Sequence, residues 1–188
     1  MPTPDVLEPG TNPPDEINVV IEIPKDSKFK YEIDLKSGEI SVDRVLFPAM
    51  FYLLNYGFIP QTRENNSTNG DSDPIDVFIL GNYSLCPKSV IGCRPVGVLL
   101  TEDQGGVDSK IIAVPLTKID PTFSTLEDID DVPEYLKEQL KHFVEHHKDL
   151  EEKEGKYVKI KGWKGRDAAK LMITEAVERY KGDNIPTY

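Results

Sequence analysis

Cysteine is nearly absent from this 188-residue chain: Cys86 and Cys93 are its only two. Two such thiols are not the disulfide framework that staples small secreted domains, and they fit a reducing compartment. Long apolar runs are missing too. No stretch approaches the roughly 20 consecutive apolar residues of a membrane-spanning helix. The opening Met1 to Asp15 is rich in proline and acid, and reads as an extended leader rather than a signal peptide. Positive charge is scarce: 22 Lys and Arg stand against 33 Asp and Glu, a formal charge of −11. That balance disfavours non-specific contact with a nucleic-acid backbone. No Gly-rich phosphate loop or dinucleotide fingerprint occurs. The expectation is a cytoplasmic protein with neither a nucleic-acid nor a membrane partner.

What is present describes one globular domain over residues 1–188, with 1–16 as its leader. Hydrophobic residues make up 38% and charged residues 29%, and the length suits one core better than two. Asn18 to Ile23 reads as a strand closed by Pro24. From Phe29 to Leu35 the aromatic and aliphatic residues alternate with Lys30, Glu32 and Asp34, a half-buried strand. Ser37-Gly38 turns the chain, and Glu39 to Leu46 returns as the partner of a hairpin. Further strand-like runs are Asp76 to Leu80, Val90 to Leu100, Lys110 to Leu116 and Lys156 to Lys161. Two segments carry helical spacing. The first begins near Pro133, with Asp130 and Asp131 as candidate caps, and shows Leu136, Leu140, Phe143, Val144 and His147 on one face. The second shows Ala169, Met172, Ile173, Ala176, Val177 and Tyr180, with Gly182 placed to end it. Strands first and helices last predict an α+β class, a small barrel with helices packed outside. The loop Gln61 to Gly70 is polar and Asn-rich, and is expected to be mobile.

The most informative string is Gly70-Asp71-Ser72-Asp73-Pro74-Ile75-Asp76-Val77. Three carboxylates within six residues, directly before an apolar strand, repel one another unless cations compensate them. Pro74 stiffens the turn, so the three side chains can converge from different directions. A second acidic group follows, Asp103 to Asp108, with Gly105-Gly106 for a sharp turn and Lys110 beside it. Taken alone, the first string reads equally as a solvated Asp/Pro turn or as a metal site, and Glu102-Asp103 reads as a loop. The EF-hand pattern of a calcium site is absent.

Basic and phenolic residues shift the balance. Lys30 and Glu32 share the polar face of one hairpin strand, Arg44 ends its partner, and Tyr52 and Tyr56 stand four residues apart. Each has a plain alternative as surface charge or core aromatic. Together with hard carboxylate oxygens they are what a phosphate-processing site requires.

At this point the sequence resembles the soluble family I inorganic pyrophosphatases, in their short bacterial-type form. The resemblance spans Val19 to Glu178 and rests on Val20-Ile21-Glu22-Ile23-Pro24, Lys30-Tyr31-Glu32-Ile33-Asp34, Val42-Asp43-Arg44 and Asn55-Tyr56-Gly57. It continues through Asp71 to Val77, Arg94-Pro95-Val96-Gly97, Asp103 to Lys110, Phe143 to Leu150 and Gly162-Trp163. It implies a small closed five-stranded OB-like β-barrel with two flanking α-helices, and Mg²⁺-assisted hydrolysis of pyrophosphate. By position it implies Asp71, Asp76, Asp103 and Asp108 as metal ligands and Asp73 as general base. Lys30, Arg44, Tyr56 and Lys148 match substrate contacts, and Glu22, Glu32, Tyr52 and Lys110 match supporting positions. Where the family commonly has Tyr-Lys, this chain reads His147-Lys148. His147 is therefore expected to offer an N–H to phosphate, with affinity tightening as pH falls through its titration near about 6.5. His142 and His146, four residues apart without a third zinc ligand, are expected at a subunit contact. The resemblance implies a homo-oligomer, typically a hexamer.

Overall fold

The computed structural model describes residues 6–64, 73–151 and 157–183. Along these residues run β1 (Ile17–Ile23), β2 (Phe29–Ile33), β3 (Ile40–Val45), β4 (Asn55–Phe58), β5 (Asp76–Ile79) and β6 (Val90–Asp103). They are followed by β7 (Gly106–Val107), β8 (Lys110–Pro115), α1 (Glu134–His146), β9 (Val158–Gly165) and α2 (Arg166–Asp183). Five of the strands close into a ring. β1 pairs with both β4 and β6, β4 with β5, β5 with β8, and β8 with β6, and only the β5–β8 pairing is parallel. Closure leaves these strands few free edges. The α+β class and the OB-like ring with two helices therefore stand. The far half of β6 extends past the ring to carry β7 and β9, while β2 and β3 form a separate two-stranded sheet.

Beyond their first residues, Asp76 and Lys110, β5 and β8 are apolar because period-two alternation sends their side chains to two faces that are both covered. Val77, Ile79, Ile111 and Ala113 pack in one cluster with Ala169, Ile173, Ala176 and Val177 of α2. Their neighbours Phe78, Leu80, Ile112 and Val114 pack in a second cluster with Leu140, Phe143 and Val144 of α1. Each fully buried Ile or Phe contributes about 1.5–3 kcal/mol against exposure. At the β1–β4 seam the backbones touch: a Cβ added to Gly57 would lie 2.0 Å from the Val20 carbonyl oxygen. The β2–β3 sheet is tied to the ring by Glu22 of β1, whose carboxylate accepts the Ile33 N–H at 2.8 Å.

Several boundaries differ from the sequence reading. β2 stops at Ile33 because the Asp34 carboxylate accepts the N–H groups of Lys36 and Ser37, which turns the chain early. Asp130 and Asp131 do not cap α1, whose N-cap is Pro133 without a side-chain bond. Asp131 instead forms a capping box with Asp128 around the short 3-10 turn Ile129–Asp131. The Asp128 carboxylate also accepts the Arg166 N–H at 3.0 Å, so α2 begins directly where β9 ends. The strand expected at Lys156 to Lys161 is β9, which runs on to Gly165. Gly182 lies inside the last turn of α2 rather than after it. Residues 65–70 of the Asn-rich loop, and Asp71, lie outside the described residues.

Candidate active site

Lys110 is the centre of the site's charge. Parallel pairing sets Val77 opposite Ile111, so Asp76 and Lys110 stand side by side at the start of β5 and β8. The Lys110 ammonium, on a side chain 10% exposed, pairs with the carboxylates of both Asp76 and Asp108. Burial alone would depress its pKa, but those two carboxylates and Glu64 hold it above the usual lysine value. Tyr56 on β4 lies next, its ring centroid 6.0 Å from that ammonium. Tyr52 packs on Tyr56 and on Phe143 of α1, with centroids at 5.9 and 5.2 Å. Burial pushes both phenols up, Tyr56 with help from Asp76, so they remain protonated donors.

The β2–β3 sheet forms a second wall. Its register places Lys30 opposite Arg44, two cations on one strand pair. Lys30 bonds Glu32 at 2.6 Å and Asp43 at 3.1 Å. Arg44 pairs with Asp43 and, at 2.7 Å, with Glu151. A third side comes from β6, β7 and the end of α1, where Lys148 approaches Asp103 at 3.3 Å. The Asp103 carboxylate also accepts the Gly105 N–H at 2.7 Å, which shapes the turn between β6 and β7.

These walls enclose a cavity of about 670 Å³, whose lining includes Glu22, Lys30, Glu32, Arg44, Tyr52, Tyr56, Asp73, Asp76, Asp103, Asp108, Lys110, His147 and Lys148. Every described residue singled out from the sequence for chemistry is thus gathered in one place, and Asp71 lies outside the described residues. The sequence reading missed Glu64, a seventh carboxylate on the lining. It also missed Asp43 and Glu151, which hold the wall cations. Glu64 and Glu151 are lone carboxylates with no spacing signal to mark them, and Asp43, on β3 inside Val42-Asp43-Arg44, shows its role only through its bonds to Lys30 and Arg44.

Seven carboxylates face only four Lys and Arg in this lining. The imbalance appears in their protonation: burial pushes Glu22 up to about 7 and Glu64 up to about 8. Asp108 is raised as well, by burial and then by Asp76 against the pull of Lys110. Among the described residues no three Asp, Glu, His or Cys converge as a finished metal cage. The donor chemistry nonetheless fits a hard divalent cation: the oxygens are carboxylate, crowded and short of positive charge.

His147 stacks on Phe143, with centroids 5.2 Å apart, and burial followed by Lys148 lowers it to about 4. Its Nδ1 lies 2.9 and 3.2 Å from the Val144 and Phe143 carbonyl oxygens. Carbonyls only accept, so Nδ1 carries the hydrogen and Nε2 of the neutral ring is an acceptor. A neutral His147 therefore cannot offer its Nε2 as the expected N–H donor. His142 and His146 are not on the cavity lining. Their rings are 4.5 Å apart, and His146 bonds Asp149 at 2.7 Å. Cys93 is buried with its thiol pushed up by burial, so it is no ready nucleophile.

An OB-like barrel whose cavity sets a surplus of carboxylates against lysine, arginine and tyrosine defines a site for a small, highly charged, oxygen-rich substrate. Comparison with known proteins narrows that class. The family model described as inorganic pyrophosphatase matches residues 19–181. The chain is 49% identical to an inorganic pyrophosphatase of Aquifex pyrophilus, covering 93% of this chain and 95% of that one. It is 50% identical to that of Sulfolobus acidocaldarius, covering 94% and 98%. The crystal structure of inorganic pyrophosphatase from Thermus thermophilus superposes with a TM-score of 0.89 at 42% identity, over 96% of this chain and all of the other. The chain belongs to the inorganic pyrophosphatase family, in its short bacterial-type form.

Proposed function

We propose that the chain hydrolyses inorganic pyrophosphate to two orthophosphates with Mg²⁺, in the cytoplasm and as a homo-oligomer. As a member of its family it is an inorganic diphosphatase. The observation that carries the reading is the split cavity: the Lys30–Arg44 pair on one wall, and the crowded Asp76, Asp108 and Asp103 on the others. Such a site takes a polyanion only when cations sit between it and the carboxylates. Asp71, Asp76, Asp103 and Asp108 would hold magnesium, which when bound acidifies water and neutralises phosphate charge.

The chain's own residues do the rest. Asp73, at the mouth of β5, accepts the proton of the attacking water. The water oxygen bonds to phosphorus as the bridging P–O bond breaks, and the electron pair leaves with the second phosphate. Lys30, Arg44 and Lys148 hold phosphate oxygens and meet the charge that develops on the departing group. Tyr56 donates its O–H, and Glu22, Glu32, Tyr52 and Lys110 keep these groups in place. His147 contributes Nε2 as an acceptor, towards a water or a protonated phosphate oxygen. No side-chain nucleophile is required.

Phosphate release should be measured with Mg²⁺ and pyrophosphate, tripolyphosphate or ATP in parallel. Strong preference for pyrophosphate is expected. Equal rates on ATP would mean a broader phosphoanhydride hydrolase, and no release from any of the three would overturn the reading. Sedimentation tests the assembly, and a monomer would refute that part.

A further inference from the structure

Glu64 stands on the cavity wall outside the pattern read from the sequence. Its backbone N–H donates to the Asp73 carbonyl oxygen at 2.9 Å. Its carboxylate Oε1 accepts the Ser109 N–H at 3.0 Å. One residue is thereby bonded to both acidic segments, which lead into different strands, β5 and β8, and meet only in the fold. A parallel tie lies two residues earlier. Buried Thr62 accepts the Ile75 N–H at 3.0 Å and donates to the Ile59 carbonyl at 2.6 Å. With the Ile59 N–H donating to the Ile75 carbonyl at 3.0 Å, the chain from Ile59 to Glu64 grips the backbone from Asp73 to Ile75 three times and reaches across to Ser109 once.

Ser109 is the residue between Asp108 and Lys110, and the Lys110 ammonium pairs with the carboxylates of both Asp108 and Asp76. Displacing its backbone moves both. The neighbouring Asp108 N–H goes to Thr101, back within β6, so the Ser109 N–H is the backbone donor here that turns towards Glu64.

We propose that Glu64 is a positioning residue for the hydrolysis, a clamp that sets the separation between Asp73 and the Asp108–Lys110 pair. The proposal rests on the pyrophosphate reading of the site. Misplacing a reacting group by about 1 Å can cost on the order of 100-fold in rate. The substrate-holding cations Lys30 and Arg44 lie on the β2–β3 wall and do not bond to Glu64. Loss of the clamp should therefore fall on kcat and spare KM.

The test compares Glu64→Ala and Glu64→Gln with the parent in kcat and KM for magnesium pyrophosphate. Amide hydrogen exchange of the segment around Ser109 is followed in all three. Glu64→Ala is expected to lose about 30- to 100-fold in kcat with KM within about threefold. Gln keeps a carbonyl acceptor for the Ser109 N–H, so it should recover most of that loss and the exchange protection. If the Ala chain does not fold, Glu64→Asp, one methylene too short to reach Ser109, takes its place with the same expected loss. A kcat near the parent's in the shortened variants overturns the proposal, as does a Gln variant as impaired as Ala. A parent that releases no phosphate overturns the functional reading and the catalytic role with it. Exchange needs no turnover, so unchanged protection at Ser109 in Glu64→Ala overturns the clamp separately.

Discussion

Stripping divalent ions with a chelator and raising the pH from about 6.5 to 8 forces Glu22 and Glu64 to ionise inside the cavity. Burial lifts them from 4.5 to about 7 and about 8 in the folded chain. A carboxyl with a raised folded pKa keeps a proton that the unfolded chain has already lost, so stability falls as pH rises through the window between the two values. His147 acts elsewhere: lowered from 6.5 to about 4, it costs stability only as pH drops below 6.5. Between about 6.5 and 8 the two glutamates together carry roughly 2 pH units of linkage, worth about 2–3 kcal/mol. For a chain of this size that corresponds to a melting temperature lower by about 5–10 °C at the higher pH. Magnesium favours the ionised carboxylates, so saturating Mg²⁺ should shrink or reverse the fall. Thermal unfolding by circular dichroism, in chelator and in Mg²⁺, reads both effects. A metal-free protein as stable at pH 8 as at 6.5 would refute the account of an undercompensated acidic cavity.

Lys110→Met leaves Asp76 and Asp108 without the ammonium they share, and breaking such a buried pair costs about 3–5 kcal/mol. Urea unfolding in chelator at pH 8 measures it, and a loss under about 1 kcal/mol contradicts the assignment. Gly57→Ala drives a Cβ to 2.0 Å from the Val20 carbonyl, and the β1–β4 seam should give way by about 3 kcal/mol. An unchanged melting temperature would show that the seam is not closed there. His147, lowered to about 4, stays neutral from about pH 5.5 to 8.5. KM profiles of the parent and His147→Tyr should therefore run parallel, the reverse of what an unperturbed histidine implies. A parent KM that tightens through pH 6.5, absent in the Tyr variant, would restore the charged-donor role.

Legibility followed the physics of each element. The hairpin β2–β3 and the apolar strands β5 and β8 announce themselves by alternation or by continuous burial. β4 does not, because Asn55-Tyr56-Gly57-Phe58 is four residues long with a glycine inside, too short for any periodicity. Yet the ring cannot close without it. The acidic string before β5 stood out because three like charges in a stiff turn need a reason. Lys110 could be seen beside Asp108, but its pairing with Asp76 depends on the parallel β5–β8 register, a tertiary fact. Glu64 was invisible for the same cause. It sits in a polar loop with ordinary composition, and its meaning comes from Ser109, which the fold brings to it. The misplaced caps at Asp130 and Asp131 show the converse. The residue type was right for capping, but the helix it caps is a 3-10 turn that precedes α1.

In the proposed reaction water attacks pyrophosphate directly and Asp73 takes its proton. The rate of phosphate release from magnesium pyrophosphate by Asp73→Asn, beside the parent, tests it most directly. Asn keeps the shape of the carboxylate and cannot accept the proton. A kcat lower by about 100-fold or more is expected, with the melting temperature and its response to Mg²⁺ preserved. Near-normal turnover by Asp73→Asn would contradict it and place the base elsewhere in the cavity.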